Sequence, residues 1–159
     1  MSVAKKINLM CDKKILSSLC LLFLALTSCD KKQDVQLNYY QVRVKNATAD
    51  WRDSSFIIAT ANPQLMAEAE AQLKKPVSER KMVSGALLRG NGGYNKNAGH
   101  AFKWRFREDN WSFTEASIEI YDGRPYSDVD SDTAYWFGNM KHFAPWNSYV
   151  AKKITIGQP

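Results

Sequence analysis

The clearest strand signal in this chain is the stretch HAFKWRFR, residues 100–107. Aromatic side chains alternate with basic ones there, and a period of two is typical of a strand that buries one face. We therefore predict a half-buried strand with the aromatic set in the core and the basic set in solvent. A nucleic-acid platform would place both sets on one surface, so we expect no nucleic-acid partner. The sets are Phe102, Trp104 and Phe106, and Lys103, Arg105 and Arg107.

Apolar runs on both sides of this stretch predict a small α+β fold. A main helix is expected over about residues 63–75, because Asn62 and Pro63 form a typical helix start and Pro76 a stop. A short second helix, over about 126–137, has acidic residues in its first turn, where the helix dipole favours them. Strands and helices together predict a mostly antiparallel sheet in one globular domain, residues 35–159. The further strands are predicted at 35–44, 54–61, 81–89, 111–121 and 149–156.

The N-terminal segment has the pattern of a secretory signal. Four lysines precede or flank an apolar run over residues 15–26, which is too short to span a bilayer and has the length of a signal-peptide core. The run ends in Leu26-Thr27-Ser28-Cys29, which resembles the lipobox of bacterial lipoproteins. That resemblance implies removal of residues 1–28, acylation of Cys29 by palmitate-type chains and a polar tether over residues 29–34. We expect a membrane-anchored lipoprotein of the bacterial cell envelope, in either the inner or the outer membrane.

Removal of residues 1–28 changes the composition of the chain. The segment holds four of the 22 Lys and Arg and one of the 16 Asp and Glu, so the net charge falls from +6 to +3. It also holds Cys11 and Cys20, and the third cysteine is the predicted acylation site. We therefore expect a domain without disulfides that depends on its aromatic core. Initiation at Met10 instead of Met1 leaves these expectations unchanged.

A series of short motifs runs from Phe56 to Val150. It comprises an aromatic strand, a proline-started helix, a strand with a glycine, a Tyr-Asn loop, a Trp-containing strand, an acidic strand end and a late Pro-Trp motif. The motifs are Phe56-Ile57-Ile58, Asn62-Pro63, Val83-Ser84-Gly85, Tyr94-Asn95, Phe102-Lys103-Trp104, Glu119-Ile120-Tyr121-Asp122 and Ala144-Pro145-Trp146-Asn147-Ser148. In this order they resemble the secreted BP-seventy-four N-terminal-like domain family. The resemblance implies the fold and no particular reaction.

The chain departs from that family at two positions. Family members have cysteines where this chain has Tyr121 and Ala144. The resemblance therefore implies that the two positions face each other, with a large and a small side chain in place of a bridge. Such a bridge commonly contributes about 2–4 kcal/mol, so packing around Trp146 is expected to compensate.

Candidate binding residues lie in the predicted loops, because binding groups concentrate on loops that a rigid sheet carries. The glycine-rich loop over residues 90–99 supplies Tyr94, Asn95 and Asn97. Three tryptophans, Trp51, Trp111 and Trp146, lie near predicted turns, and exposed aromatic faces stack on sugars. The expected partner is an unknown protein or small ligand. The predicted binding residues are Tyr94, Asn95, Asn97, Trp111 and Trp146.

The sequence predicts no catalytic residue, cofactor or metal site. The acidic run at 128–132 has the spacing that opens a calcium loop, but Thr133 and Asn139 stand where that loop needs glycine and glutamate. His100 and His142 have no nearby second ligand or serine partner in the sequence. We therefore expect a non-enzymatic binding lipoprotein. The alternatives are an envelope hydrolase or glycan-processing protein that uses Glu119, Asp122 or a histidine, and a purely structural protein.

Overall fold

The computed structural model of the protein describes residues 36–45, 49–117 and 121–156. The predicted signal peptide, the tether, Cys29 and Glu119 lie outside these residues. No helix within the described ranges is long and apolar enough to cross a membrane.

The described residues form eight strands, one main helix and several shorter helical segments. Helix α1 covers Pro63–Leu73, and single 3-10 turns cover Trp51–Ser54 and Val77–Glu79. The strands are β1 (Asn38–Val44), β2 (Ser55–Thr60), β3 (Met82–Arg89), β4 (Lys96–Asn97), β5 (His100–Ala101), β6 (Trp104–Thr114), β7 (His142–Phe143) and β8 (Ser148–Ile154).

Two three-stranded antiparallel sheets make up the architecture. Sheet A has the strand order β2-β1-β8, sheet B has the order β6-β3-β7, and β4 and β5 form a small hairpin. Antiparallel sheets with few helices agree with the predicted α+β class.

The register of sheet A places two turns at the same end of the sheet. Arg43, near the end of β1, pairs with Ser55 at the start of β2, and Val44 pairs with Ser148 at the start of β8. The turns that precede β2 and β8 therefore lie at this end. The chain enters β1 at the opposite end, where Asn38 pairs with Thr60.

The core lies between the two sheets and is largely aromatic. The ring of Phe56 in β2 lies 5.3 Å from Trp104 and 5.6 Å from Phe106 in β6. Both β6 side chains are fully buried, as is nearly all of Phe102, while Lys103 and Arg107 are exposed. Arg105 is half-buried and bonds to Glu108 and to the Arg89 carbonyl. The predicted aromatic core face is thus confirmed, and the predicted solvent face is confirmed for two of its three basic residues.

Strand β6 is longer than predicted. The sequence indicated separate strands at 100–107 and 111–121. Instead, His100–Ala101 belong to β5, and one strand runs over Trp104–Thr114 and ends before residue 121. Its register against β3 shifts between the pairs Gly85–Trp111 and Leu87–Phe106. A bulge therefore absorbs the polar residues 107–110, which interrupt the alternation without ending the strand.

A glycine permits the close packing at this bulge. A Cβ at Gly85 would lie 2.7 Å from the Phe106 ring and 2.8 Å from the Cβ of Trp111. Any side chain at Gly85 would therefore push apart the aromatic residues that form the core.

Helix α1 begins as predicted and ends early. Asn62 accepts a hydrogen bond from the N–H of Gln64, with Pro63 in the first turn. The helix ends at Leu73 rather than near residue 75, because the Lys75 N–H bonds to the carbonyl of Gln72 in a tighter turn. Such tightening is common in the last turn of a helix.

The predicted second helix, over about 126–137, is wrong in form. The segment contains a π-helix at Pro125–Asp130, one α-turn at Thr133–Tyr135 and a second π-helix at Trp136–Met140. The Asp132 side chain accepts a bond from the Tyr135 N–H and so begins a new helical turn. In the sequence, Asp132 favoured one continuous helix. In the structure, its side chain caps a new turn and so divides the segment into shorter helical pieces.

Candidate functional site

Two of the predicted binding residues, Tyr94 and Asn95, lie inside the protein. Asn95 is fully buried; its Oδ1 accepts from the Ile57 N–H at 2.9 Å, and its Nδ2 donates to the Trp104 carbonyl at 2.8 Å. It thereby joins sheet A to sheet B. The Tyr94 hydroxyl donates to Glu108 at 2.9 Å. This corrects our expectation that the glycine-rich loop presents both side chains to a ligand.

The environment of Tyr94 keeps its phenol protonated. Burial is the main cause that raises the pKa of Tyr94 far above its usual range, and the nearby charge of Glu108 adds to it. Tyr94 therefore remains a hydrogen-bond donor at neutral pH, which suits a structural contact.

The tryptophans near predicted turns differ in exposure. Trp111 is 4% exposed, and its indole donates to the Ala59 carbonyl at 2.9 Å, so our expectation of an exposed side chain was wrong. Trp51 is 52% exposed and Trp146 is 38% exposed. The structure does not group the five predicted residues, and the two exposed indoles mark two separate surfaces.

An open site surrounds Trp51. It is a depression of about 450 Å³ lined by Trp51, Arg52, Ala98, Gly99 and His100, which we call the Trp51 site. The first two residues belong to the 3-10 turn before β2, and the other three lie at the turn between β4 and β5. One wall is therefore built from the end of the predicted loop.

Asn97 joins the two walls of the Trp51 site. Its Nδ2 donates to the Trp51 carbonyl at 2.7 Å and to the Ser54 hydroxyl at 3.0 Å, and its Oδ1 accepts from Ser55 at 3.0 Å. Asn97 thus positions the exposed indole.

Arg52 is fixed on two sides. Its Nε lies 2.9 Å from Oδ1 of Asp50 and its Nη2 lies 2.6 Å from Oδ2, while its guanidinium carbon lies 3.4 Å from the centre of the Tyr126 ring. Hydrogen bonds from Arg52 are the main cause that lowers the pKa of Asp50, and the same bonds raise the pKa of Arg52. Both groups are therefore charged at neutral pH, and the pair is neutral overall.

His100 is oriented by a buried carboxylate. Its Nε2 lies 3.0 Å from Oδ2 of Asp130, whose other oxygen accepts from the Lys103 N–H. This hydrogen bond fixes the orientation of the imidazole beside Trp51. The imidazole also contacts the Tyr126 ring edge-on at 5.2 Å. Tyr126 therefore packs against both polar groups of the site.

Two polar atoms beside Trp51 remain available. Among the described residues, no hydrogen bond of the protein uses Nη1 of Arg52 or Nδ1 of His100. Nη1 of Arg52 is a donor, and Nδ1 of His100 is a second polar atom that a ligand can reach. The site thus offers an exposed aromatic face with two polar atoms held nearby.

A buried aspartate holds this arrangement together. Asp53 is fully buried; its Oδ1 accepts from the N–H groups of Tyr126 and Ser127 at 2.8 and 2.9 Å, and its Oδ2 accepts from the Ser127 hydroxyl. These bonds fix the turn that carries Trp51 against the segment that carries Tyr126. Sequence reasoning missed the site, although Asp50 and Asp53 on either side of Trp51 and Arg52 were a local signal of a structured turn.

The residues of the enzymatic alternative have separate partners. His142 Nδ1 lies 3.5 Å from the Ser84 hydroxyl, and Asp122 pairs with Arg124 at 3.0 Å. His100 bonds to Asp130, and Glu119 lies outside the described residues.

The acidic run at 128–132 does not converge either. Asp128 accepts from the Arg124 N–H, Asp130 bonds to His100, and Asp132 accepts from the Tyr135 N–H. In the described ranges, no group of three His, Cys, Asp or Glu side chains is arranged to hold a metal ion.

The segment after Tyr121 packs against the late Pro-Trp motif. A Cβ at Gly123 would lie 2.5 Å from the Trp146 backbone nitrogen and 3.1 Å from the Cα of Pro145. The Tyr121 ring itself contacts the rings of Tyr135 and Trp136 at 5.7 and 5.3 Å. A direct contact between Tyr121 and Ala144 stays a prediction.

Comparison with known proteins identifies one family. The family model of the BP-seventy-four N-terminal domain matches residues 39–157, which include strands β2 to β8 and most of β1. No curated protein and no solved structure matches the chain. Because the match covers most of the sequence, the chain belongs to the BP-seventy-four N-terminal domain family.

Proposed function

We propose that this protein is a lipid-anchored lipoprotein of the bacterial envelope that binds a neutral saccharide at the Trp51 site without transforming it. The observation that carries the proposal is the half-exposed Trp51 indole, flanked by Arg52 and His100, each of which has one polar atom that no described residue uses. An aromatic face provides apolar contact area for the C–H face of a sugar, while the two polar atoms match its hydroxyl groups.

The charges of the site favour an uncharged ligand. Arg52 is neutralised by Asp50, and His100 faces the carboxylate of Asp130. The two carboxylates are held by these partners rather than aimed at a ligand. A neutral sugar needs no further charge compensation there. An unpaired ionic group, in contrast, would lose its hydration at a cost in free energy.

The same contacts favour binding over hydrolysis. Most glycoside hydrolases use two carboxyl groups on opposite sides of the scissile bond, one as acid and one as base or nucleophile. Asp50 is bound to Arg52 and its pKa is lowered, which opposes a role as general acid. Asp130 is fully buried and bonded to His100.

Replacing Trp51 by alanine is expected to weaken saccharide binding about tenfold or more, because the stacking surface is lost. Calorimetric titration with chitohexaose, cellohexaose and maltohexaose measures the effect. Trp146→Ala is the matched control, since it removes the other exposed indole and should leave these affinities unchanged. Failure of all three hexasaccharides to bind the full chain, or equal losses in both variants, would contradict the proposal.

The anchor is tested separately. The apolar run before Cys29 and the polar segment after it support acylation there, and two or more chains are needed for stable attachment. We expect metabolic labelling with a palmitate analogue in the bacterial source to mark the protein and Cys29→Ser to abolish the label. A label that persists in Cys29→Ser would refute this acylation site. The Cys29→Ser protein should still bind saccharide, because the proposed contacts are made by Trp51, Arg52 and His100.

A further inference from the structure

A second site lies around Trp146, outside the Trp51 site. A groove of about 580 Å³ opens where the starts of β3 and β8 meet the end of β6. We call it the basic groove and define it by the lining residues Lys45, Lys75, Lys81, Glu115 and Trp146. Its charged lining residues are four basic side chains, Lys45, Lys75, Arg80 and Lys81, and two acidic ones, Glu79 and Glu115. The groove therefore carries an excess of positive charge, unlike the Trp51 site.

The Trp146 indole is held at the groove by the backbone around it. The Ser148 N–H bonds to the Pro145 carbonyl at 3.2 Å, and the Lys45 N–H bonds to the Asn147 carbonyl at 3.0 Å. Behind the indole, a Cβ at Gly123 would lie 2.9 Å from its Cδ1 atom. Gly123 therefore allows the backbone to support the ring closely, and the half-exposed face presents a rigid surface.

The lysines of the groove differ in how far they are already engaged. Lys81 pairs with Glu115 at 2.9 Å, and Lys45 donates to the Val77 carbonyl at 3.3 Å. Lys75 is exposed and forms no ion pair with any described residue. Lys75 is therefore available to a ligand. Removal of Glu115 would make Lys81 available as well.

We propose that the basic groove binds an anionic saccharide, with a sugar ring on Trp146 and the acid group near Lys75. An indole next to ammonium groups matches a ring that carries a carboxylate or a phosphate. This ligand differs in charge from the neutral saccharide of the Trp51 site, and the two sites are independent.

A peptide partner fits the groove less well. A peptide that adds a strand needs unpaired backbone groups, but at this seam Arg80 occupies the carbonyls of Val150 and Ala151, and Ser148 accepts from the Val83 N–H.

Calorimetric titration of the full chain with hexagalacturonate tests the proposal, with maltohexaose as the neutral comparison. We expect Trp146→Ala to weaken hexagalacturonate binding about tenfold, and Lys75→Gln to weaken it about fivefold. Glu115→Gln should strengthen binding about threefold, because it removes a negative charge and frees Lys81. Lys152→Gln, which changes an exposed lysine elsewhere, is the control and should leave the hexagalacturonate affinity unchanged.

Each outcome of this titration supports or contradicts the proposed binding of an anionic saccharide in the basic groove. A parallel titration with glucose 6-phosphate shows whether the groove prefers a phosphate to a carboxylate. No binding of either anionic sugar, or an unchanged affinity in both Lys75→Gln and Glu115→Gln, would overturn the proposal. Tighter binding of polyglutamate or phosphatidylglycerol vesicles that depends on Lys75 would also overturn it. If Trp146→Ala fails to fold, the surface variants Lys75→Gln and Glu115→Gln still test the proposal.

Discussion

Replacing Asn95 by aspartate is expected to lower the free energy of unfolding by about 3 kcal/mol at neutral pH. The carboxylate can still accept from the Ile57 N–H, but it loses the donor that bonds to the Trp104 carbonyl. A buried charge would then face a carbonyl oxygen, and an unsatisfied buried group costs about 1–3 kcal/mol, or more when charged. This contact joins the two sheets, so its loss affects the whole core.

The cost of Asn95→Asp should depend on pH with a defined sign. Burial raises the pKa of the new carboxyl above its value near 4 in the unfolded chain. The penalty should therefore be small at acidic pH, where the protonated acid can donate, and grow as the pH rises above about 4. Urea denaturation across pH measures this. Asn110→Asp, in the exposed bulge of β6, is the matched control. Equal stabilities of the two variants at neutral pH would contradict the role of Asn95.

Replacing Arg80 by alanine is expected to cost about 2–3 kcal/mol of stability. The guanidinium donates to the carbonyls of Leu73 and Lys75 after α1, at 3.0 Å each, and to those of Val150 and Ala151 in β8 at 2.8 and 3.4 Å. The Leu73 carbonyl, in the last turn of α1, is one that a helix end leaves without a partner. Hydrogen bonds to charged groups contribute about 1.5–3 kcal/mol each, and the partial exposure of this guanidinium reduces the sum.

Lysine at position 80 should restore only part of this stability, because an ammonium group cannot reach four carbonyls in the geometry of a guanidinium. Urea denaturation gives the free energies, and hydrogen exchange should show faster opening at the end of α1 in Arg80→Ala. Arg107→Ala, an exposed arginine in β6, is the control. A stability of Arg80→Ala equal to that of Arg107→Ala would show that the four bonds contribute nothing.

The sequence predicts best what depends on local periodicity. The alternation from Phe102 to Arg107 and the start of α1 at Asn62-Pro63 were predicted because their causes lie within a few residues. The division of the second helix at Asp132 was not predicted, since an acidic residue fits both a first turn and a new cap.

The candidate sites depend on contacts between distant residues, and this is why sequence reasoning found them only in part. Asp130 orients His100 from 30 positions along the chain. In the sequence, Asn95 resembles an exposed loop residue. Its burial becomes evident only once the strands on either side of it are paired. Trp111 and Trp146 both follow polar or turn-forming residues in the sequence. The pairing of β6 with β3 places Trp111 in the core, whereas Trp146 lies outside the strands and is half-exposed.

The indole signals of the five tryptophans test the proposed saccharide site most directly. In a nitrogen-15 labelled protein, each indole N–H gives its own resonance, which single Trp→Phe variants assign. During titration with the tightest-binding neutral hexasaccharide, we predict that the Trp51 signal shifts with the calorimetric affinity. Buried Trp104, Trp111 and Trp136 should hold their positions. A titration in which Trp51 remains unchanged while another indole shifts, or in which none shifts, would contradict the assignment of the Trp51 site.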